Sequence, residues 1–214
     1  MDERTSGLIL RTRPLTETSL VVQWLTRDLG RLATVAKGAR RSKSPFLGKL
    51  DLFYLADLSF ARSRRSELHT LREVSLRETH NALREELGYL QQAAYCAALI
   101  EQTTETETPL PSIFQLMIDL LTALPSETPQ PRTIFAFEMK LLNELGMKPS
   151  LKEGKLSSGA KQILHRLSEM DWSSLSRLKL SIAQAAEIDR FLNSFLIYHL
   201  GKIPKGRSAA LAGS

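Results

Sequence analysis

The chain has 214 residues, of which 43% are hydrophobic and 24% charged, and its formal net charge is +6. This composition is typical of a globular protein large enough to bury a core in one or two domains. Cys96 is the only cysteine, which excludes an internal disulfide and a cysteine-rich zinc site. The first residues, MDERTSGLIL, lack the basic region and long apolar run of a signal peptide, and no later stretch approaches the length of a membrane span. We therefore expect a cytoplasmic protein without membrane contact.

The positive charge is concentrated in the first part of the chain. Residues 1–80 hold 15 Lys and Arg against 9 Asp and Glu, whereas residues 81–214 hold 14 of each. Between Glu85 and Pro131 there are seven acidic residues and no Lys or Arg. A polyanion would be attracted to the first region and repelled from the second, so the two halves are predicted to meet different partners.

The first 75 residues show short apolar alternations separated by turn signals. They predict five strands, at residues 7–13, 19–26, 31–37, 50–61 and 66–74. In the fourth strand, alternation places five side chains on one face: Leu52, Tyr54, Ala56, Leu58 and Phe60. Five strands in so short a segment favour a small closed barrel such as the OB fold, and we assign residues 1–78 to it. In that fold, an exposed sheet face and its flanking loops bind single-stranded nucleic acid.

A cluster of basic residues begins at the second predicted turn. Between residues 27 and 49 the only acid is Asp28, and the cations predicted to contact nucleic acid are Arg27, Arg31, Lys37, Arg40, Arg41, Lys43 and Lys49. Gly38 and Gly48 permit positive φ and Pro45 discourages a helix, so residues 37–49 are predicted to form a mobile loop, called here the basic loop. Arg and Lys together suit a polyanionic backbone. The alternative is a basic run that is only a solvated surface.

Two further features extend this interpretation. Arg62, Arg64 and Arg65 precede the last predicted strand and would lengthen the positive track. Phe46 lies inside the basic loop, where its ring would either stack on a nucleic-acid base or anchor the loop to the barrel. The sequence does not decide between these two roles.

The pattern after Ser75 has a helical period. It predicts helices at residues 82–103, 111–124, 131–145, 157–170 and 181–200, which form an all-α domain over residues 79–214. Ser181 with Gln184 matches a capping box, and Gly146 and Gly201 are typical helix stops. The final residues, from Ala209 onward, are small and polar enough to be disordered.

No catalytic constellation is evident. His69, His80, His165 and His199 are scattered, and none has an acidic or cysteine partner at metal-ligand spacing. The phosphate-binding patterns GxxxxGK[ST] and GxGxxG are absent. We therefore expect a protein that is not an enzyme and that needs no cofactor.

The chain resembles the RecO family of bacterial recombination and DNA repair mediators. Four segments carry the resemblance: GLILRTRPLTETSLVVQWLTRDLGRLATVAKGARRSKSPFLGKLDLFYLADLSF, SELHTLREVSL, FEMKLLNELGMKP and YHLGKIPKGR. The resemblance implies an OB barrel followed by a helical domain, and a nucleoid-associated protein that binds single-stranded and double-stranded DNA and anneals complementary strands. It also implies action with RecR to load RecA onto DNA coated by the single-strand-binding protein, SSB. Lys37, Arg40, Arg41 and Lys43 fall on the family's DNA-contacting loop.

The chain departs from many relatives in one place. Where they carry a four-cysteine zinc finger, this chain has only MKPSLKEGK, so we expect no metal and the zinc finger to be missing. For the SSB tail, which is acidic and ends in an aromatic residue, we predict a contact surface of apolar and basic side chains. Its members are Arg132, Phe135, Lys140, Leu141 and Lys148. The alternative for the two apolar members, which the sequence favours, is a helix that packs into the core. The alternatives to a DNA mediator are an RNA-binding OB module and a scaffold whose helical half binds proteins.

Overall fold

A computed structural model describes residues 2–151 and 156–212. The chain forms two compact units. The first contains the residues up to His80 together with Thr104–Phe114, and the second contains Asn81–Thr103 and the residues from Gln115 onward. The first unit is built on five strands: β1 (Asp2–Pro14), β2 (Leu20–Thr26), β3 (Gly30–Ala36), β4 (Leu55–Ala61) and β5 (Leu68–Glu78).

These strands close into a barrel in the order β1-β2-β3-β5-β4. All neighbouring pairs are antiparallel except β3 and β5, which are parallel. Trp24 and Phe60 are fully buried at the centre of the barrel, and the indole Nε1 of Trp24 donates to Thr34 Oγ1 at 2.9 Å. A closed five-stranded barrel followed by helices confirms the predicted α+β fold with an OB barrel.

The fourth strand is shorter than predicted. It begins at Leu55, because the backbone of Phe53 has a φ of 63° and cannot continue an extended strand. Before that point, Phe53 and Tyr54 form backbone hydrogen bonds with Ile9 of β1. Phe53 N donates to Ile9 O at 2.9 Å, and Ile9 N donates to Tyr54 O at 3.0 Å. Leu52, predicted to face the core, is 37% exposed. The predicted strand over residues 50–54 is therefore wrong.

A segment that follows helix α1, Thr104–Phe114, belongs to the barrel unit. Thr106 forms a parallel bridge with Arg31, and Glu107 N donates to Arg31 O at 2.7 Å. Gly30 has a φ of +72°, and a Cβ built there would lie 2.0 Å from the carbonyl oxygen of Thr108. Only glycine fits so close an approach. The predicted boundary between residues 78 and 79 does not anticipate this return of the chain to the barrel.

The second unit is helical. Its elements are α1 (Leu87–Thr103), α2 (Pro111–Ala123), α3 (Pro131–Glu144), α4 (Ser158–Glu169), α5 (Trp172–Leu175), α6 (Ile182–Leu200) and α7 (Arg207–Ala212), with 3-10 turns at Asn81–Arg84 and Leu124–Ser126. The capping box at Ser181 is present, and Gly146 and Gly201 end their helices with φ of 70° and 72°. None of the helices in the described ranges is long and apolar enough to cross a membrane.

Residues 209–212 belong to helix α7, contrary to the prediction of disorder from Ala209. Ala210 is 1% exposed, and Arg207 reaches the fully buried carboxylate of Glu138 through two hydrogen bonds, of 2.7 Å from Nε and 3.1 Å from Nη2. Arg207 also binds Asp189, and the Tyr95 hydroxyl donates to Glu138 at 2.5 Å. A buried carboxylate needs such partners, and their presence explains why a short, small-residue helix is held in place. Residues 213 and 214 lie outside the described ranges.

Candidate nucleic-acid interface

The basic loop is folded into successive tight turns. Its backbone N–H groups donate to carbonyls three residues back at Arg41, Ser44, Leu47 and Lys49, with distances of 3.0 to 3.2 Å. The loop is also tied to the β1–β2 turn, because Arg40 N donates to Thr18 O at 3.0 Å. These hydrogen bonds give the loop a defined shape, in contrast to the mobile tip that the sequence predicts.

Two apolar side chains attach the loop to the barrel. Ala39 is 7% exposed and Phe46 is 6% exposed, and both belong to the barrel's core cluster. The two roles that the sequence left open for Phe46 are thereby resolved. Its ring is buried in the barrel and anchors the loop, so it has no exposed face for a base.

The cations of the loop point away from these anchors. Lys37, Arg40, Arg41 and Lys43 are all exposed, and none has a described carboxylate within ion-pair range. Arg40 Nη1 donates to Thr16 O at 3.3 Å, which holds this side chain along the β1–β2 turn. Four uncompensated cations on one short folded segment create a positive surface suited to phosphate oxygens.

Lys49 is half-buried at the edge of a groove of about 690 Å³, beside Pro45 and Phe46. The groove is also lined by Arg4 and Arg72, which the sequence analysis did not select. Three carboxylates balance these three cations: Asp28, Asp57 and Glu73. Hydrogen bonds from Ser6 at 2.7 Å and from Arg77 at 2.6 Å lower the pKa of Asp57, which keeps that carboxylate charged. The groove is therefore electrostatically mixed, and the positive surface is on the loop.

Three predicted DNA-contacting residues lie at the opposite end of the strands. The β2–β3 ladder runs from Leu20 opposite Ala36 to Thr26 opposite Gly30, a length of about 20 Å. Lys37 follows one end of this ladder and Arg27 follows the other. Arg64 and Arg65 precede β5, which runs parallel to β3, and so they lie toward the end of Arg27. All three are exposed, and one strand length separates Arg27 from Lys37, where the basic loop begins.

Two other basic residues of the barrel unit, Arg31 and Arg62, already have hydrogen-bond or ion-pair partners within the protein. Arg31 donates from Nε to Thr104 Oγ1 at 2.7 Å and from Nη2 to the Thr104 carbonyl, so contact with a phosphate would require these bonds to break. Arg62 pairs with Glu3 at 2.6 Å and with Glu107 at 2.5 Å. These carboxylates raise the pKa of Arg62 against the effect of burial, and its charge is used within the barrel unit.

His69 completes this internal cluster. It is 2% exposed, stacks on Phe60, and accepts at Nδ1 from Ser63 N at 3.2 Å. Its Nε2 therefore carries the proton and donates to Glu107 at 2.7 Å. Burial acts to raise the pKa of Glu107, but the hydrogen bonds from His69 and Arg62 outweigh it and lower the pKa.

The predicted partner surface on the helical unit does not form. Phe135 and Leu141 are each 1% exposed and pack in the helical core, so the prediction that they contact a partner is wrong. Arg132 is paired with Glu127. The ammonium of Lys140 lies 5.8 Å from the centre of the Trp172 ring, and burial lowers the pKa of this lysine. Of the five residues, Lys148 alone is fully exposed.

Within the described residues, no group of three or more His, Cys, Asp or Glu side chains could hold a metal ion. The segment that takes the place of the zinc finger, MKPSLKEGK, falls partly outside the described ranges, because it includes residues 152–155. Cys96 is buried, and burial raises the pKa of its thiol. A thiol in this state is unreactive.

Two family models match the chain. The model described as "Recombination protein O N terminal" matches residues 1–80, and the one described as "Recombination protein O C terminal" matches residues 84–154. Three similar curated proteins are each described as DNA repair protein RecO. The one from Rhodopirellula baltica is 32% identical over 144 residues, the one from Bacillus pumilus 31% over 150, and the one from Alkaliphilus metalliredigens 34% over 149. These alignments cover 67 to 70% of this chain and 53 to 60% of the relatives, so the chain spans a little over half of their length.

Proposed function

This chain belongs to the recombination protein O family of DNA repair proteins, and we propose that it binds and anneals DNA strands without catalysing a reaction of its own. The observation that carries the proposal is the basic loop, whose four exposed cations project from a folded segment anchored in an OB barrel. Exposed cations on a folded loop attract the phosphates of both single-stranded and double-stranded DNA. Neutralising the charge of two complementary strands lowers the repulsion that opposes their annealing.

The partners of this activity are proposed by family resemblance. We propose that the protein acts with RecR, recognises the SSB tail and helps to load RecA onto SSB-coated DNA. A chain that carries its excess positive charge on residues 1–80 can bind DNA there and leave the helical half, whose charges balance, for protein contacts.

The first experiment measures the binding of a single-stranded oligonucleotide by fluorescence anisotropy across a salt series. If about four loop cations contact phosphates, log affinity should fall against log salt with a slope of roughly −3. Arg40→Glu with Arg41→Glu should weaken binding and flatten this slope. A matched control is Arg166→Glu with Arg177→Glu, which changes the net charge equally at two exposed positions of the helical unit.

The outcomes separate the alternatives. Equal losses in the loop and control variants would reject the loop and leave only a net-charge effect. Undiminished DNA binding by the loop variant would reject the loop as the contact, whereas absence of DNA binding by the wild type would favour a scaffold whose barrel is only structural. Preference for an RNA oligonucleotide over DNA of the same sequence would favour an RNA-binding module, since a site that reads the 2′-hydroxyl prefers RNA.

The second experiment measures strand annealing on complementary oligonucleotides coated with SSB. The wild type should speed annealing, and the Arg40→Glu, Arg41→Glu variant should not. Adding RecR and RecA to the same mixture tests the loading step. Annealing of bare strands with no effect on coated strands would contradict the mediator role and leave a simple DNA-binding protein.

A further inference from the structure

The last long helix carries a row of aromatic rings, called here the aromatic ladder: Phe191, Phe195, Tyr198 and His199. The ring centres of Phe191 and Phe195 are 6.3 Å apart, and those of Phe195 and His199 are 4.2 Å apart. Tyr198 meets His199 edge to face at 5.1 Å. The spacing of three and four residues places all four on one side of α6.

The aromatic ladder packs into the helical core at one end and is exposed at the other, which is called here its open end. Phe191 packs against the helical core cluster, and Phe195 is half-buried. Tyr198 is 84% exposed and His199 is also exposed. The exposed phenol ring of Tyr198 is accessible to another flat ring. An exposed ring in contact with a neighbouring ring loses little freedom when a base stacks on it.

The sequence that follows the open end of the ladder carries positive charge. Asp189 is the last acidic residue of the sequence, and Lys202 and Lys205 follow the ladder. Both lysines are exposed, and the Lys202 carbonyl accepts a hydrogen bond from Gln102 Nε2 at 2.5 Å, which fixes this backbone just beyond the end of α6. Aromatic faces followed by lysines match what single-stranded nucleic acid presents: flat bases joined by phosphates.

We propose that the open end of the aromatic ladder is a second contact site for single-stranded DNA, with bases stacked on Tyr198 and His199 and phosphates near Lys202 and Lys205. This inference rests on the proposed DNA-binding function and adds a site outside the barrel. The basic loop would bind phosphates of any strand. The aromatic ladder would add a preference for unpaired bases, because only these have an accessible face.

The test uses the full chain and fluorescence anisotropy with an oligo(dT) strand and an abasic strand of equal length. Tyr198→Ala should weaken oligo(dT) binding by about 5- to 150-fold, the range typical of replacing one stacking aromatic residue with alanine. Tyr198→Phe should bind like the wild type, because it keeps the ring. The matched control is Ile197→Ala, a neighbouring residue that is 45% exposed but projects from another side of the helix. Binding of the abasic strand should be the same in all four proteins.

Three different results would overturn the proposal of a second DNA contact site. If the wild type binds no oligonucleotide, the proposed function fails and the inference with it. If Arg40→Glu with Arg41→Glu weakens binding but Tyr198→Ala does not, the proposed function stands and the inference alone is overturned. The inference is also overturned if Tyr198→Ala leaves oligo(dT) binding unchanged and weakens binding of an acidic peptide, since the face would then be a protein-docking surface.

Discussion

Phe46 lies within the basic loop, but its ring packs in the barrel core. As an anchor, it should matter for stability more than for DNA contact. We expect Phe46→Ala to lower the free energy of unfolding by roughly 3 kcal/mol and Phe46→Leu by about 1 kcal/mol, because leucine fills most of the space. Urea unfolding measures both values.

The same pair of variants separates anchoring from stacking. Phe46→Leu should bind single-stranded oligonucleotide within about a factor of two of the wild type, since a buried ring makes no stacking contact worth the usual 1–3 kcal/mol. A large loss of affinity in a Phe46→Leu protein of near-native stability would contradict the anchor role.

Glu138 and Arg207 form a buried ion pair in the helical unit. Removing only the arginine leaves a buried carboxylate without compensation, and we expect Arg207→Met to cost about 3–5 kcal/mol. Burial raises the pKa of Glu138, and loss of Arg207 should raise it further. A raised carboxyl pKa contributes stability at pH values below the unfolded pKa, and this contribution is lost as pH rises through the folded pKa.

The destabilisation by Arg207→Met should therefore shrink as pH is lowered from 7 toward 4.5. Thermal unfolding of variant and wild type at each pH measures the difference. The double variant Glu138→Gln, Arg207→Met is the control, and it should be more stable at pH 7 than Arg207→Met alone. A pH-independent difference would show that the carboxylate is not the source of the cost.

For single residues, the sequence predicts the exposure of charged side chains better than it predicts which apolar side chains are buried. Lys37, Arg40, Arg41 and Lys43 are exposed as expected, because a turn-rich basic loop has nowhere to bury charge. Phe135 and Leu141 were assigned to a surface and lie in the core. A helix with apolar residues on most of its circumference does not reveal which of them its neighbours will cover.

Glu107 fastens the Thr104–Phe114 segment to the barrel through Arg62 and His69. We expect Glu107→Gln to speed amide hydrogen exchange of this segment severalfold, because a neutral amide cannot reproduce two charge-assisted contacts. Glu105→Gln is the matched control: it removes the same charge from an exposed position two residues away. Hydrogen exchange followed by mass spectrometry measures both.

This clamp should also depend on pH. The pKa of Glu107 is lowered in the folded state, so its stabilising contribution is present above the unfolded value near 4.5 and is lost as pH falls through the folded pKa. The difference in thermal stability between the wild type and Glu107→Gln should therefore become smaller as the pH falls through the folded pKa of Glu107. A difference that stays constant down to pH 3 would rule out the ionised carboxylate as its source.

Elements with a strong period were predicted within a few residues, and the misses have physical causes. The alternation of Leu52 and Tyr54 is typical of a strand. The hydrogen bonds between Ile9 of β1 and residues 53 and 54, however, go with a positive φ at Phe53, which ends the extended backbone. Helix α7 has too few residues and too little apolar area to be recognised by pattern. It is held by Arg207, whose partner Glu138 lies 69 positions earlier.

The two tryptophans of the chain report on different units. Trp24 is buried in the barrel, and Trp172 opens the short helix α5. In a Trp172→Phe background, fluorescence should follow unfolding of the barrel unit, and Phe46→Ala should lower its urea midpoint. In a Trp24→Phe background, Arg207→Met should lower the midpoint of the helical unit. If each substitution lowers both midpoints equally, the units unfold as one.

For the whole molecule, the fold class and the family could be read from the sequence, but the binding surfaces only in part. Strand alternation, turn residues and the LGRL to AKGARR run occur in an order that few other folds share. The engagement of Arg31 by Thr104 depends on a contact between residues 73 positions apart, and no local pattern encodes such a contact.

The bridge between Arg31 and Thr106 has a consequence for biosynthesis. During synthesis, residues 1–80 leave the ribosome before the segment that contains Thr106, so the start of β3 lacks this pairing during that interval. An open strand edge is a template for pairing with other chains. We therefore expect a fragment of residues 1–80 to aggregate more readily than a fragment of residues 1–114, in which the segment that pairs with Arg31 is present.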